Sequence, residues 1–190
     1  QYAGWPVQTD DYFAMGSGPM RLLRRKEPVL VKRELTDSQT SVAGGVLESD
    51  QLPSAQAITS IADECGVNAS QLTLAVAPST SIAGTIQVVA RSVETAMHQL
   101  FERGFDLGAV ISATGNAPLP PVARPGDNVG GIGRTNDAIL YGATVTFWVD
   151  CDDAAIHEVV DQITSSASKD YGRPFAKVFA DYDFYKVDPM

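Results

Sequence analysis

The sequence predicts an α/β fold built from strand-helix units. Short runs of β-branched and apolar residues alternate with longer segments of helical periodicity, a pattern typical of α/β sheets and unlike that of an all-helical bundle. The 190 residues are 44% hydrophobic and 19% charged, which is enough apolar material for one domain or two small lobes. A Pro- and Gly-rich segment past the middle of the chain favours two lobes.

Composition disfavours several classes of function. The net charge of -9 repels phosphate backbones and anionic lipids, so neither nucleic acid nor a membrane is an expected partner. No apolar run approaches the roughly 18 residues that a membrane span needs. Cys65 and Cys151 lie far apart with no CxxC pattern, which predicts two free buried thiols rather than a zinc site or a disulfide. We therefore expect a soluble, cytoplasmic protein.

The first strand-helix unit is predicted in residues 42–66, after a glycine-containing segment at 10–19. Residues 10–19 join an aromatic pair to two glycines, which fits either a connecting turn or close approach to a ligand, and a short basic stretch on a helix follows. Residues 42–48 predict a strand. The next apolar periodicity predicts a helix that ends at Gly66, where glycine can adopt the left-handed cap conformation.

The second unit begins with a strand over Leu72–Ala77 and continues with a helix from about residue 84 to 103. Ligands of α/β sheets bind beyond the carboxyl ends of strands. Ser79 and Ser81, in the loop between these two elements, are therefore candidate substrate-binding residues. The same hydroxyl groups also fit a helix N-cap, and the pattern leaves both interpretations open.

Residues 115–133 are rich in Pro and Gly and predict a long loop between two lobes, 1–114 and 134–190. Their Gly-Gly-Ile-Gly run lacks the Lys-Ser/Thr of a P-loop and the spacing of a dinucleotide-binding motif, so no nucleotide site is predicted. Beyond the loop, residues 143–149 alternate apolar and polar side chains and predict a strand. A helix is expected to open near Asp152 and to run to about residue 163.

The predicted helix over 84–103 carries a polar stripe beside its apolar face. Gln87, Arg91, Glu94 and His98 are spaced by four, three and four residues on one side of a helix, so Glu94 can touch both Arg91 and His98. The stripe combines a cation, a carboxylate and an imidazole. By itself it also fits a solvated face with an ordinary ion pair, which stabilises a helix only slightly.

Seven motifs carry a family resemblance. In chain order they are Gln-Tyr-Ala-Gly-Trp at 1–5, Asp-Tyr-Phe-Ala-Met-Gly-Ser-Gly-Pro at 11–19, Ser-Thr-Ser-Ile-Ala-Gly-Thr at 79–85, Ala-Arg-Ser-Val-Glu-Thr at 90–95, Gly-Arg-Thr-Asn-Asp-Ala-Ile-Leu-Tyr-Gly at 133–142, Ser-Ser-Ala-Ser-Lys-Asp-Tyr-Gly at 165–172 and Tyr-Asp-Phe-Tyr-Lys-Val-Asp-Pro at 182–189. Together they resemble methenyltetrahydromethanopterin cyclohydrolases over nearly the whole chain.

The resemblance implies a reaction in one-carbon metabolism, in methanogenesis or in the formaldehyde oxidation of methylotrophs. This reaction is the reversible hydrolysis of 5,10-methenyltetrahydromethanopterin to formyltetrahydromethanopterin. The resemblance implies a pterin substrate, no metal or redox cofactor, a ligand cleft between two α/β domains, and a homo-oligomer such as a trimer. Members of the family are longer at the N terminus, so we expect this chain to be the C-terminal portion and to turn over slowly on its own.

The family's active-site Arg and Glu map onto Arg91 and Glu94. The chemistry suits these residue types, because the methenyl carbon is already electrophilic and a carboxylate can take a proton from the attacking water and return it to the departing nitrogen. His98 receives no role from the resemblance.

Four further polar residues lie in matched motifs, and we name them as candidate substrate-binding residues. They are Arg134, Asn136, Asp137 and Lys169. Each also fits a capped turn or a structural ion pair.

Two other functions stay open beside the cyclohydrolase: a non-catalytic module that binds a pterin or a phosphorylated ligand, and a hydrolase of another cyclic amidine such as a folate analogue. The presence of both Arg91 and Glu94 favours the enzyme.

Overall fold

Strands and helices alternate along the chain, as the sequence predicted. A computed structural model describes residues 5–32 and 40–181. Motif residues 1–4 and 182–189 lie outside the described residues. The chain folds into two compact units with the boundary between Ser79 and Thr80, which we call the N-terminal and C-terminal units. This boundary precedes the segment 115–133, where the sequence predicted a division between lobes.

The N-terminal unit contains a four-stranded sheet in the order β1-β2-β3-β4. The strands are β1 (Trp5–Gln8), β2 (Phe13–Ser17), β3 (Ala43–Glu48) and β4 (Leu72–Ala77). The first three pair antiparallel, whereas β3 and β4 are parallel, with Ala43 opposite Leu72. The prediction of β4 is confirmed at both ends, and that of β3 to within one residue. The hairpin of β1 and β2 was not predicted, because residues 10–19 were interpreted as a turn.

Among the described residues, this unit has three helices: α1 (Met20–Arg24), α2 (Pro28–Lys32) and α3 (Ala55–Cys65). Gly66 ends α3 in the left-handed conformation at φ 68°, as predicted. The cap at the other end was not predicted: Ser54 accepts a hydrogen bond from the backbone N–H of Ala57. The core contains buried Trp5, Met20 and Ile61.

The basic residues of α1 form ion pairs within the N-terminal unit. Arg21 donates two hydrogen bonds to the carboxylate of buried Glu27, at 2.6 and 2.5 Å. The guanidinium of Arg24 lies 4.4 Å from the centre of the Trp5 ring and donates from Nε to Glu64 at 2.6 Å. This basic stretch therefore stabilises the fold around the core.

Among the described residues, the C-terminal unit contains five helices and a two-stranded sheet. In chain order these are α4 (Ile82–Val89), α5 (Ser92–Glu102), β5 (Val110–Asn116), α6 (Asn128–Gly142), β6 (Thr144–Val149), α7 (Asp153–Val159) and α8 (Phe175–Asp181). The antiparallel pair of β5 and β6 has a bulge between Val110 and Ser112. The sequence placed β6 correctly to within one residue, and α7 is shorter at its C-terminal end than predicted.

Two predicted segments differ from the structure. The segment 84–103 is two helices rather than one. The apolar face that was predicted to run along it is therefore not buried throughout: Ile86 on α4 is 48% exposed, whereas Leu100 on α5 is buried. The segment 115–133 is a loop only over 117–127, because β5 continues to Asn116 and α6 begins at Asn128. Glycine is a poor helix former, but Gly133 allows α6 to pack against α8, since a Cβ there would lie 2.8 Å from the Cβ of Ala176.

Across the described ranges, we find no helix whose length and apolar character would allow it to cross a membrane.

Candidate active site

The centre of the candidate site is the break between α4 and α5. Arg91 precedes α5 with φ -90° and ψ 18°, and its backbone N–H bonds to the carbonyl of Val88 at 3.1 Å. In a continuous helix this N–H would bond to the carbonyl of Gln87, four residues back. The break therefore releases the Gln87 carbonyl from the helical pattern of hydrogen bonds.

The Arg91 side chain binds the carbonyl that the break releases. Its Nε donates to the Gln87 backbone oxygen at 3.1 Å, and its Nη2 donates to Gln87 Oε1, also at 3.1 Å. Two nitrogens of the guanidinium are thus held by two acceptors of one residue. Its Nη1 is buried as well.

Local sequence explains why the helix stops here. The last residues of α4 are Val88 and Val89, whose branched side chains lose rotamer freedom in a helix. The carbonyl of Arg91 then starts α5 by accepting from both the backbone N–H and the Oγ1 hydroxyl of Thr95, at 2.9 and 3.1 Å. The apolar periodicity continues across the break, and for that reason the sequence pattern did not reveal it.

Glu94 lies in the first turn of α5 and is partly buried. Its spacing from Arg91 puts the two side chains on neighbouring positions of the helix surface. The N-terminal end of a helix carries partial positive charge and favours a carboxylate. The break therefore places the acid of the predicted pair at a new helix start rather than within a long helix.

The first turn of α5 is seated on β5 at Gly115. A Cβ on Gly115 would lie 2.9 Å from Ser92 Oγ and 2.8 Å from Val93 Cγ2, both closer than ordinary contact. Ser92 is buried. The absence of a side chain at Gly115 thus sets the approach of the two residues between Arg91 and Glu94. Sequence reasoning missed this role, although the glycine within a β-rich run was a visible signal for close approach.

His98 lies one turn beyond Glu94. Its Nε2 is 3.6 Å from Glu102 Oε1, and its ring is 6.4 Å from that of Phe101. These contacts extend along α5 away from the helix start.

Ser81 is the N-cap of α4. Its Oγ accepts a hydrogen bond from the backbone N–H of Gly84 at 2.9 Å, and its carbonyl accepts from the Thr85 hydroxyl at 2.8 Å. The helix-cap interpretation therefore describes Ser81. Ser79, the last residue of the N-terminal unit, is buried. A substrate contact by either serine stays a prediction.

The polar residues of α6 all bind protein groups. Arg134 Nη1 donates to the carbonyls of Pro121 and Val122 at 3.1 and 3.0 Å, which fixes the preceding loop. Asn136 is buried and donates to its own helix at the Ile132 carbonyl. Asp137 Oδ1 accepts from the backbone N–H at the start of α8, at 2.8 Å. Only the Asp137 contact is a helix cap of the kind that the sequence left open, and binding of substrate by Arg134, Asn136 and Asp137 stays a prediction.

The loop of Lys169 is organised by its neighbour Asp170. Asp170 is buried, and its Oδ1 accepts from Arg173 Nη1 at 2.5 Å. Arg173 also pairs with Asp181. The hydrogen bond to Asp170 raises the pKa of Arg173 above its ordinary value, so this guanidinium stays charged. A direct role of Lys169 in substrate binding stays a prediction.

Among residues 5–32 and 40–181, no three His, Cys, Asp or Glu side chains lie close enough together to hold a metal ion. Both cysteines are free, as predicted. Cys65 is buried, but Cys151 is only partly buried, so the prediction of two buried thiols is wrong for Cys151. Burial raises the pKa of the Cys65 thiol, as is typical of an unreactive structural cysteine.

Comparison with known proteins identifies relatives over the whole chain. A family model described as cyclohydrolase (MCH) matches residues 1–190. A methenyltetrahydromethanopterin cyclohydrolase of Rhodopirellula baltica is 60% identical over 196 residues, which cover 100% of this chain and 58% of that protein. Proteins with the same name from Methylobacillus flagellatus and Methanocella arvoryzae are each 44% identical, and the matches cover 58% and 59% of their lengths. The chain thus spans less than two thirds of the length of these relatives.

Proposed function

This chain belongs to the cyclohydrolase (MCH) family, and we propose on that basis that it carries the catalytic pair of a methenyltetrahydromethanopterin cyclohydrolase. The reaction is the reversible hydrolysis of the cyclic methenyl cation to formyltetrahydromethanopterin. The observation that carries the proposal is the geometry around Arg91: its guanidinium is held by Gln87 at 3.1 Å through two nitrogens, three residues before Glu94 in the first turn of α5.

The first step is attack of water on the methenyl carbon. Positive charge shared with two nitrogens makes this carbon electrophilic, so the protein has to activate the water rather than the substrate. The Glu94 carboxylate accepts one proton of the water while the C–O bond forms, and the product is a neutral hydroxy adduct. Arg91 orients the carboxylate and the water, since a guanidinium presents its donors in a fixed plane.

The second step is collapse of the adduct. The bond from carbon to one ring nitrogen breaks, and protonated Glu94 returns its proton to that nitrogen as general acid. The hydroxyl proton of the adduct leaves to solvent as the formyl carbonyl forms. The net change is consumption of one water and release of one proton, and Glu94 ends in its initial carboxylate form.

The same proposal covers cofactors and location. The cationic substrate supplies its own electrophile and the reaction transfers no electrons, so we propose that neither a metal nor a redox cofactor takes part. Cytoplasmic location is supported by the two free thiols, Cys65 and Cys151, because disulfides are rare in a reducing compartment.

The expected partners are the pterin substrate and further copies of the protein. An associating surface is supported by exposed apolar side chains on the C-terminal unit, among them Ile82 and Ile86 on one side of α4 and Trp148 on β6. Multi-angle light scattering of the natural protein that contains this chain would measure the number of copies, three in the trimer that the resemblance implies. A monodisperse monomer would contradict the homo-oligomer. The ligand cleft between domains stays a prediction from the resemblance.

The test of the catalytic assignment is Glu94→Gln in that natural protein. The amide keeps the shape but cannot take a proton, so kcat should fall about 100- to 10,000-fold with little change in substrate binding. The reaction is measured by the loss of absorbance of the conjugated methenyl group. The matched control is Glu158→Gln, on the exposed side of α7. Unchanged turnover by the Glu94 variant would remove this residue from the mechanism.

The non-catalytic alternative makes a different prediction for the unmodified protein. A binding module would take up the methenyl pterin without accelerating its hydrolysis, and Glu94→Gln would leave the uncatalysed rate unchanged. Parallel assays with a methenyl folate separate the third function, because a hydrolase of another cyclic amidine would prefer that substrate.

A further inference from the structure

We propose that Gln87 is a positioning residue, which fixes the Arg91 guanidinium in the orientation that the reaction requires. Nothing in the family comparison assigns a function to Gln87. The inference rests on the proposed function for its consequence in catalysis, but the contact itself can be tested independently of any activity.

Two acceptors of Gln87 determine the guanidinium plane. The backbone oxygen binds Nε and the side-chain Oε1 binds Nη2, both at 3.1 Å. Two parallel hydrogen bonds to neighbouring guanidinium nitrogens fix its rotation as well as its position. A single acceptor would leave the group free to turn about one hydrogen bond.

The helix break removes a backbone hydrogen bond that a continuous helix would place on the Gln87 carbonyl. The backbone N–H of Arg91 bonds to Val88 instead, so it does not share the Gln87 carbonyl with the guanidinium. In a continuous helix that carbonyl would accept from both groups, as the Arg91 carbonyl does from the N–H and the hydroxyl of Thr95. The break therefore lets the guanidinium bind the carbonyl without competition from the Arg91 backbone.

The neutral charge of Gln87 also suits the site. An amide orients the guanidinium without neutralising it, so the positive charge of Arg91 remains available to Glu94. A carboxylate at position 87 would keep the acceptor but pair with the guanidinium as an ion. We therefore expect Gln87→Glu to retain the orientation of Arg91 and to change its electrostatic effect, and Gln87→Met to lose the orientation at nearly the same side-chain length.

Kinetics of the natural protein that contains this chain test the catalytic consequence. Gln87→Met should lower kcat about 10-fold or more with KM changed by less than about twofold, because orientation matters most in the transition state. Gln87→Glu should recover part of the loss. Gln56→Met, at an exposed position of α3, is the matched control and should retain full kcat.

A double-mutant cycle separates positioning from a general structural effect. If Gln87 acts through Arg91, Gln87→Met should cost little further kcat in an Arg91→Lys background. An equal fold-loss in both backgrounds, with unchanged thermal unfolding, would show that Gln87 acts independently of Arg91 and would overturn the proposal. Full kcat in the Gln87→Met variant would also overturn it.

The side-chain Nη–H signals of arginine in low-temperature nitrogen-15 NMR spectra test the contact without any turnover, because Arg91 Nη2 donates to the side-chain Oε1 that Gln87→Met removes. The Arg91 Nη–H signal, assigned by its loss in Arg91→Lys, should exchange slowly with water and should broaden or exchange rapidly in Gln87→Met. The Arg21 Nη–H signal is an internal control, because its Nη2 donates to Glu27 at 2.5 Å and should not change. An unaltered Arg91 signal in Gln87→Met would refute the contact, whereas an altered signal in a protein that does not hydrolyse the pterin would refute the proposed function alone.

Discussion

Gly115→Ala tests how closely the start of α5 depends on β5. The added methyl carbon would lie 2.8 Å from Val93 Cγ2, 2.9 Å from Ser92 Oγ and 3.5 Å from Val145 Cγ2. Ordinary contacts between carbon atoms begin near about 3.5 Å, so the first two overlaps are about 0.6 Å. Ser92 can rotate its hydroxyl, but the branched side chain of Val93 is stiff at χ1. The first turn of α5 must therefore shift by several tenths of an ångström.

The expected cost has two parts. Crowding of this kind typically destabilises a protein by about 1–3 kcal/mol, and the loss of glycine's freedom in the unfolded chain returns about 0.4–1 kcal/mol. The net loss of unfolding free energy is then about 0.5–2 kcal/mol. Catalysis should suffer more, because a displacement of about 1 Å at a reacting group can reduce a rate about 100-fold. We expect kcat to fall about 10-fold from the smaller shift.

The assay compares Gly115→Ala with Gly44→Ala. A Cβ on Gly44, the second residue of β3, has no atom within 4 Å, so this control changes a strand glycine without crowding. Denaturant unfolding gives the stability, and loss of the methenyl chromophore gives kcat. The reasoning would be refuted if the Gly115 variant matched the control in both measurements.

Three further predictions concern stability, binding and charge. Asp137→Ala should cost about 1 kcal/mol through loss of the hydrogen bond to the start of α8; an increase in KM well beyond this effect would instead favour a substrate contact. Glu64→Gln should lower the unfolding free energy by about 0.5–1 kcal/mol at neutral pH. Burial raises the pKa of Glu64, but hydrogen bonds from Lys26 and Arg24 outweigh it and hold the pKa below 4.5. The stabilisation is therefore present above pH 4.5 and is lost as the pH falls through the lowered pKa, and melts of both proteins across this range should converge at low pH. Finally, the net charge of -9 predicts no affinity for duplex DNA at physiological salt, and tight, salt-dependent binding in a fluorescence anisotropy titration would contradict it.

Elements with both a clear periodicity and a clear end signal could be predicted from the sequence. The end of α3 was predicted from Gly66, and β4 is an apolar run interrupted only by Thr73. The 15-residue helix α6 was missed because its glycines indicated a loop. The residues that pack against these glycines, such as Ala176 beside Gly133, are distant in sequence. The helix propensities of the residues in α6 therefore give no information about this packing.

The candidate site, too, could be predicted from the sequence only in part. The spacing of Arg91 and Glu94 and the family resemblance identified the pair, but neither indicated that a helix ends between Gln87 and Arg91. Such a break depends on which carbonyl each N–H selects, a choice made by side-chain contacts of similar strength to the backbone bonds they replace. The apolar periodicity does not depend on which carbonyl each N–H binds, and it therefore predicts a continuous helix.

The break also explains how one short segment can perform two tasks. In a continuous helix over 84–103, Arg91 and Glu94 would both lie within the helix, with every nearby N–H and C=O used by the backbone. Ending α4 at Val89 releases the Gln87 carbonyl for the guanidinium, and starting α5 at Ser92 leaves the first N–H groups of a new helix beside Glu94. The Gln87 carbonyl thus accepts from the cation, and the positive end of α5 lies at the acid. A single change in backbone direction therefore orients Arg91 and also gives the Glu94 carboxylate a favourable position.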